Sequence, residues 1–271
     1  MSIHVIVGAG AVGTGTALVL AEAGHDVRVV TRSGSGPEHP NVELMGADAS
    51  DRSRMAQMAT GAHAIYNCAN PPYTKWATAW PPLAASFLAA AETTGARLVT
   101  MSNLYGFAPG TNPMSADGAL ASTTKKGAIR ATMWHDALEA HRAGRIRATE
   151  ARGSDYVGSG LGDNAHLGDR VVLPALSGKS VSYVGTPDQA RSWAYIGDVC
   201  ATLATLGTDD RALGRAWHVP SIAPISASDY VAALCREAGV APVKVKQIPA
   251  LALRGGGGVF VPMIRELNEI L

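Results

Sequence analysis

Gly8-Ala9-Gly10-Ala11-Val12-Gly13 follows the apolar run Ile3–Val7 and opens a helix-forming stretch that reaches Gly24. The order strand, glycine turn, helix is what gives these glycines a chemistry. Gly8 permits the tight turn, Gly10 lets the backbone approach a pyrophosphate, and Gly13 lets the helix pack closely on the strand. The free N–H groups of the helix start, those of Ala11 and Val12 included, face the phosphates, and the helix dipole favours the anion. The spacing predicts a dinucleotide site on Gly8, Gly10, Ala11, Val12 and Gly13.

The second strand, Asp26–Val30, runs into Thr31-Arg32-Ser33-Gly34. An NAD site usually places a carboxylate near this point to accept hydrogen bonds from the adenosine ribose. None stands here. Arg32 and Ser33 offer a cation and a hydroxyl, which suit the extra 2′-phosphate of NADP, so the reading favours NADP(H) over NAD(H). A third strand, Val42–Gly46, leads to Asp48, which either contacts the adenine or caps the helix that begins near Asp51.

These residues need a frame, and strand-like and helix-like segments alternate along the chain. That alternation implies an α/β fold: a Rossmann-type, doubly wound parallel sheet, with a small C-terminal substrate lobe. Helices are expected near Arg52–Ala59, Leu83–Thr94 and Thr124–Ala143, and strands at His63–Cys68, Arg97–Met101 and Ile146–Arg152. Residues 1–152, joined again by 193–207, read as the nucleotide-binding domain, and 153–192 with 208–271 as the smaller lobe. Ser226–Glu237 reads as an amphipathic helix capped by Ser226 or Ser228. Gly255–Gly258 reads as a loop, and Met263–Leu271 as a helix with an apolar face.

With 271 residues, 23 Lys+Arg against 22 Asp+Glu and a net charge of +1, the chain has no general pull towards nucleic acid. Cys68, Cys200 and Cys235 show neither ligand spacing nor a paired framework, so no metal is expected, and the thiols suit a reducing compartment. No apolar stretch has the length of a membrane span, and no basic segment leads a cleavable one. A soluble, cytoplasmic protein is the expectation.

Further segments resemble the extended and atypical short-chain dehydrogenase/reductases, the NAD-dependent epimerase/dehydratase family. The resemblance runs over nearly the whole chain. Beyond the glycine turn and the Asp48 segment it rests on Asn67-Cys68-Ala69-Asn70, Met101-Ser102-Asn103-Leu104-Tyr105-Gly106, Arg152-Gly153-Ser154-Asp155-Tyr156-Val157-Gly158 and Tyr195-Ile196-Gly197-Asp198-Val199. It implies that Asn67, Ala69 and Tyr156 join the cofactor site and that Ser102 orients the substrate. Asn70, Tyr73, Trp76 and Asn112 are then candidates for lining the substrate cleft. It also implies a small-molecule substrate and a homodimer.

The family's hydride-transferring members carry Tyr-x-x-x-Lys in the helix after the Ser segment, where the lysine lowers the tyrosine's pKa. Here the matching stretch is Thr123-Thr124-Lys125-Lys126-Gly127-Ala128-Ile129-Arg130, with Lys126 at the tyrosine position and Arg130 at the lysine position. Arg130 can bond a ribose but does not release its proton at working pH. Lys126 serves as acid or base only with a depressed pKa. Tyr105 and Tyr156 are the tyrosines that can substitute, although each also reads as a packed residue with a satisfied hydroxyl. His135 and His166 read as incidental.

Two functions follow. One is an NADP(H)-dependent oxidoreductase, or an epimerase/dehydratase that uses hydride transiently, acting on a carbonyl, hydroxyl or sugar-type substrate through Ser102, Tyr105, Lys126 and Arg130. The other is a non-catalytic NADP(H) sensor that binds a protein partner.

Overall fold

The computed structural model describes residues 1–248, so Gly255–Gly258 and Met263–Leu271 lie outside the described residues. The strands are β1 (Ile3–Val7), β2 (Asp26–Thr31), β3 (Val42–Gly46), β4 (Ala62–Asn67), β5 (Arg97–Asn103), β6 (Arg147–Gly153), β7 (Asp155–Val157), β8 (Val181–Tyr183), β9 (Trp193–Tyr195), β10 (Ala216–His218) and β11 (Val245–Gln247). The helices are α1 (Ala11–Glu22), α2 (Arg52–Met58), α3 (Trp76–Thr94), α4 (Lys125–Arg142), α5 (Asp169–Leu176), α6 (Ile196–Thr208) and α7 (Ala227–Glu237).

Chain contacts divide the protein into two units, Met1–Gly153 with Gly197–Val219, and Ser154–Ile196 with the described part of Pro220–Leu271. The large unit is built on one seven-stranded sheet in the order β10-β6-β5-β4-β1-β2-β3, and every pair in it is parallel. This is the doubly wound order, with its reversal between β1 and β4, and a ligand crevice forms there at the strands' carboxyl ends. Parallel strands covered on both faces are rich in apolar residues, and Val5, Ile6, Val7, Val29, Val30, Ile65, Leu98 and Val99 are all buried.

Residues 193–207 were expected with the nucleotide-binding domain and 208–271 in the smaller lobe, but 193–196 group with the smaller unit and 208–219 with the large one, whose sheet takes up β10. It pairs with β6 through Ala216↔Glu150, Trp217↔Ala151 and His218↔Arg152, because β6 otherwise leaves an open edge. The third helix also starts earlier than Leu83. Helix α3 begins at Trp76 and carries Pro81 and Pro82 inside it. The burial of Trp76 and Trp80 in the core under α3 holds the extra turn.

In the smaller unit β7 pairs with β9 and β8 with β11, both in parallel. Its core gathers Val157, Leu167, Val171, Tyr183, Trp193, Val231 and Cys235. Ser226 caps α7, its side chain accepting from the Asp229 N–H at 3.0 Å.

Candidate functional site

The glycine turn has the form its chemistry needs. Gly8 sits at φ +99°, a region closed to most side chains, and its N–H donates to the Val30 carbonyl at 2.9 Å. A Cβ on Gly8 would lie 2.8 Å from the Cys68 carbonyl oxygen and 3.0 Å from Ala69, so β4's end and the turn are in contact. A Cβ on Gly13 would run into the Gly8 carbonyl. Gly10 caps α1 with no side chain, and a Cβ there would meet nothing within 4 Å. The turn therefore leaves open space at the helix start, where a pyrophosphate would sit, and the residues present fit a dinucleotide.

At the end of β2, Arg32 and Ser33 are exposed, and the Ser33 hydroxyl meets that of Ser35 at 2.8 Å. Asp48 accepts from the Ser50 N–H at 2.9 Å and from its hydroxyl at 2.7 Å, and these bonds hold its carboxyl below the usual range. It is Asp51 that caps α2, accepting from the Arg54 N–H at 3.0 Å.

Beyond the ends of β4 and β5, aromatic and cationic side chains gather. The Tyr73 and Tyr105 hydroxyls are 3.2 Å apart. The Lys126 ammonium lies 6.0 Å from the centre of the Tyr73 ring. The Arg130 guanidinium packs on Trp76 and Trp80, at 4.7 and 4.4 Å from their ring centres. Lys126 and Arg130 are both buried, on the inner face of α4, whose start Thr124 caps by accepting from the Gly127 N–H at 3.1 Å. Trp76 is itself buried under Tyr73, its ring stacked at 4.9 Å and its N–H given to the Pro71 carbonyl at 2.9 Å, so it supports the tyrosine layer from beneath. Asn70 and Asn112 are exposed. Asn67 is buried and lines a cavity of about 340 Å³ between α3 and α4, with Trp80, Leu98, Thr100, Ile129 and Met133.

Under this layer lies a polar group that sequence reasoning missed. Glu150, 1% exposed, accepts from the Arg152 Nε–H at 2.7 Å. Burial pushes the Glu150 carboxyl up, against the opposing pull of Arg152, of Arg130 and of a hydrogen bond from Ser102. Arg152 also donates to the Ala116 carbonyl at 2.9 Å and packs over Phe107 and Trp134. Nothing in the strand Arg147–Gly153 announces this arrangement, because the Ser102 contact exists only through the register of β5 on β6.

The smaller unit holds its own cluster. Arg191 pairs with Asp155 at 3.5 Å, and the His166 and Tyr183 rings are 6.0 Å apart. His166 Nδ1, Arg170 Nε and the Tyr183 hydroxyl are buried with no hydrogen-bond partner among the described residues. Burial, ahead of the surrounding charges, holds His166 below and Tyr183 above their ordinary values. Tyr156 is half-buried in β7, opposite Ala194 of β9. Among the described residues no three His, Cys, Asp or Glu side chains are placed to hold a metal, and no helix is long and apolar enough to cross a membrane.

The model of the NAD dependent epimerase/dehydratase family matches residues 4–219. No curated protein matches the chain. Among solved structures it is similar to a dTDP-glucose 4,6-dehydratase from Bacillus anthracis in complex with NAD, at 15% identity and a TM-score of 0.80 over 92% of this chain and 84% of that one. An epimerase from Methanothermobacter thermautotrophicus gives 18% identity and 0.79 over 92% and 80%. A UDP-glucuronic acid 4-epimerase from Bacillus cereus in complex with NAD gives 17% identity and 0.77 over 90% and 87%.

Proposed function

We propose that this chain, which belongs to the NAD-dependent epimerase/dehydratase family, is an NADP(H)-dependent enzyme that moves hydride at a hydroxyl-bearing carbon of a small, sugar-type substrate. One observation carries the reading: the glycine turn after β1 stands at the same, carboxyl end of the sheet as Tyr73 after β4 and Ser102 and Tyr105 at the end of β5. The cofactor would be held by Gly8, Gly10, Ala11, Val12 and Gly13 at its pyrophosphate and by Arg32 and Ser33 at a 2′-phosphate. When bound, it supplies a hydride acceptor or donor. Asn67, Ala69, Asp48 and Tyr156 complete the cofactor residues in this reading.

The proton chemistry must come from other groups than the family's tyrosine. Tyr105, bonded to Tyr73, is the hydroxyl we assign to that task, with the Lys126 ammonium standing 6.0 Å from the centre of the Tyr73 ring. Arg130 contributes a fixed charge, pinned between Trp76 and Trp80. Two of the similar structures carry nucleotide-sugar names, which supports a substrate of that class.

The replacement of Tyr and Lys by Lys126 and Arg130 favours a second reading, a cofactor-binding protein without turnover that signals to a partner. A fluorescence titration with NADPH and NADH tests the shared half of both. NADPH should bind more tightly, and Arg32→Ala should weaken it about tenfold while leaving NADH unchanged, as expected for one partly solvated phosphate contact. Equal affinities in the parent would remove the NADP assignment. Incubation with dTDP-glucose and UDP-glucuronic acid then separates enzyme from sensor by whether product forms.

A further inference from the structure

Arg152 is buried near the carboxyl end of β6, and its guanidinium touches three separate parts of the large unit. Its Nε–H goes to Glu150 Oε1 at 2.7 Å, so the buried charge is balanced inside β6 itself. Nη1 donates to the Ala116 carbonyl at 2.9 Å, in the segment that joins β5 to α4. The centre of the Phe107 ring, at the start of that segment, lies 5.5 Å from the guanidinium carbon, and that of Trp134, on α4, 5.7 Å. His218 of β10 stacks on Phe107 at 6.1 Å, with the two planes 19° apart. A buried ion pair of this kind is a poor source of stability, because desolvating both charges offsets their attraction. What the pair holds in place gives it a use.

The segment between β5 and α4 is closed at its neck and open beyond it. The Ser122 N–H donates to the Gly106 carbonyl at 3.0 Å. A Cβ on Gly127 would run into the Tyr105 carbonyl, so the exit of β5 rests directly on the first turn of α4. Past this neck Phe107 is buried, while every residue of 108–121 is exposed or half-buried. The loop has no core of its own, and Arg152 grips it at Phe107 and at Ala116. Tyr105 stands just before the neck, and Lys126 and Arg130 just after it, on α4. We infer that Arg152 is a positioning residue for the proton chemistry. By holding Phe107, Ala116 and Trp134 at once, it sets where the Tyr105 hydroxyl stands against Tyr73 and α4. The inference rests on the enzyme reading above and adds a residue that acts through Tyr105.

The task suits arginine and no other side chain. A guanidinium is planar and always charged, and it gives hydrogen bonds in fixed directions while its faces lie on aromatic rings. The ammonium of a lysine, a point charge on a flexible stem, cannot keep Glu150, Ala116 and both rings together. Tyr105 is sensitive to this grip because Phe107 follows it by two residues. A proton-transfer group must stand within about 2.6–3.2 Å of the atom it serves. A misplacement of about 1 Å costs on the order of a hundredfold in rate. The glycine turn after β1 and Arg32 after β2 lie on other strands, so the cofactor's phosphate contacts are outside this grip.

The test compares the full chain with Arg152→Lys, which keeps a positive charge beside Glu150 and loses the planar fork. If that variant does not fold, Glu150→Gln combined with Arg152→Met takes its place, because it leaves neither charge buried alone. Tyrosine is labelled with ¹³C at Cζ, and the Tyr73 and Tyr105 signals are identified by their loss in Tyr73→Phe and Tyr105→Phe. Both signals should move in Arg152→Lys. Amide exchange across 107–121 should quicken about tenfold, and NADPH affinity should stay within about twofold of the parent's. With NADP⁺ or NAD⁺ and dTDP-glucose or UDP-glucuronic acid, kcat should fall about thirtyfold while KM stays within about threefold. Unmoved tyrosine signals, or the parent's kcat in the folded variant, overturn the positioning role, since a merely structural arginine would change only the melting temperature. Moved signals in a protein whose parent turns over neither substrate overturn the enzyme reading instead, and with it any role of Arg152 in a reaction.

Discussion

The two ends of the large sheet both carry clusters of titratable side chains, and they are arranged in opposite ways. At the amino ends of the strands, His4 bonds the Tyr66 hydroxyl through Nδ1 and the Ser2 hydroxyl through Nε2, each at 2.9 Å. Ser2 continues to His25 at 3.1 Å, and the His63 ring lies 5.6 Å from that of His4. Both nitrogens of His4 are engaged, the residue is fully buried, and no glycine turn stands beside it. At the carboxyl ends, half-buried hydroxyls stand past the glycine turn beside buried cations. Three histidines near one another look more like catalytic machinery than two tyrosines and a lysine do. Position and exposure decide otherwise: a fully buried polar network far from the glycine turn gives structure, and half-buried hydroxyls at the turn's end of the sheet are placed for chemistry.

The largest expected effect breaks that comparison through pH. Burial, then the charges of His25, His63 and Arg97, hold His4 at about 3 against an ordinary 6.5. Above pH 6.5 both native and unfolded chains leave this ring neutral. As pH falls from 6.5 towards 3 only the unfolded chain takes up the proton, so His4 withdraws up to about 4 kcal/mol of stability. Urea midpoints across this range should fall steeply in the parent and more shallowly in His4→Leu, whereas Tyr105→Phe at the other end should keep the parent slope. A parent slope retained in His4→Leu would place the acid sensitivity elsewhere.

A smaller effect is expected at the turn. Gly13→Ala drives a methyl group into the Gly8 carbonyl, which should cost about 1–3 kcal/mol of stability and at least about tenfold in NADPH affinity. Calorimetry and the fluorescence titration read the two together, and unchanged affinity would detach the glycine turn from the cofactor. The smallest effect sharpens the open end. Tyr73→Phe removes one hydroxyl–hydroxyl bond at a half-buried position, so stability should fall by about 0.5–1.5 kcal/mol, while any turnover slows and changes its pH–rate profile because Tyr105 loses the neighbour that orients its hydroxyl. A pH–rate profile unaltered by Tyr73→Phe would separate the two tyrosines functionally.

How much of this was legible depended on distance along the chain. The glycine turn and the Ser226 cap are local, and their sequence spacing carries their geometry. The start of α3 was not readable, because Pro81 and Pro82 speak locally for a helix beginning and the burial of Trp76 and Trp80 overrides them. Tyr73 and Tyr105 each stood out in the sequence, but nothing in it says that their hydroxyls meet. Glu150 passed as part of an ordinary strand. Its place on the same face as Ser102 needs a register between β5 and β6 that single-strand patterns do not contain. His4, His25 and His63 were equally silent, since only the order of β1, β2 and β4 in the sheet gathers them.

The late arrival of β10 has a consequence for synthesis. The chain lays down β1 to β6, leaves to build the first part of the smaller unit, and only then returns with α6 and β10. Until residues 197–219 have emerged from the ribosome, β6 presents an unpaired edge. The face of α1 that meets Cys200, whose thiol contacts the Val12 carbonyl at 3.5 Å, is likewise uncovered. A nascent chain halted in that interval exposes a strand template and an apolar helix side together, the combination that chaperones bind and that aggregates recruit. The stretch between Gly153 and Gly197 thus sets how long the cell must shelter an unfinished sheet.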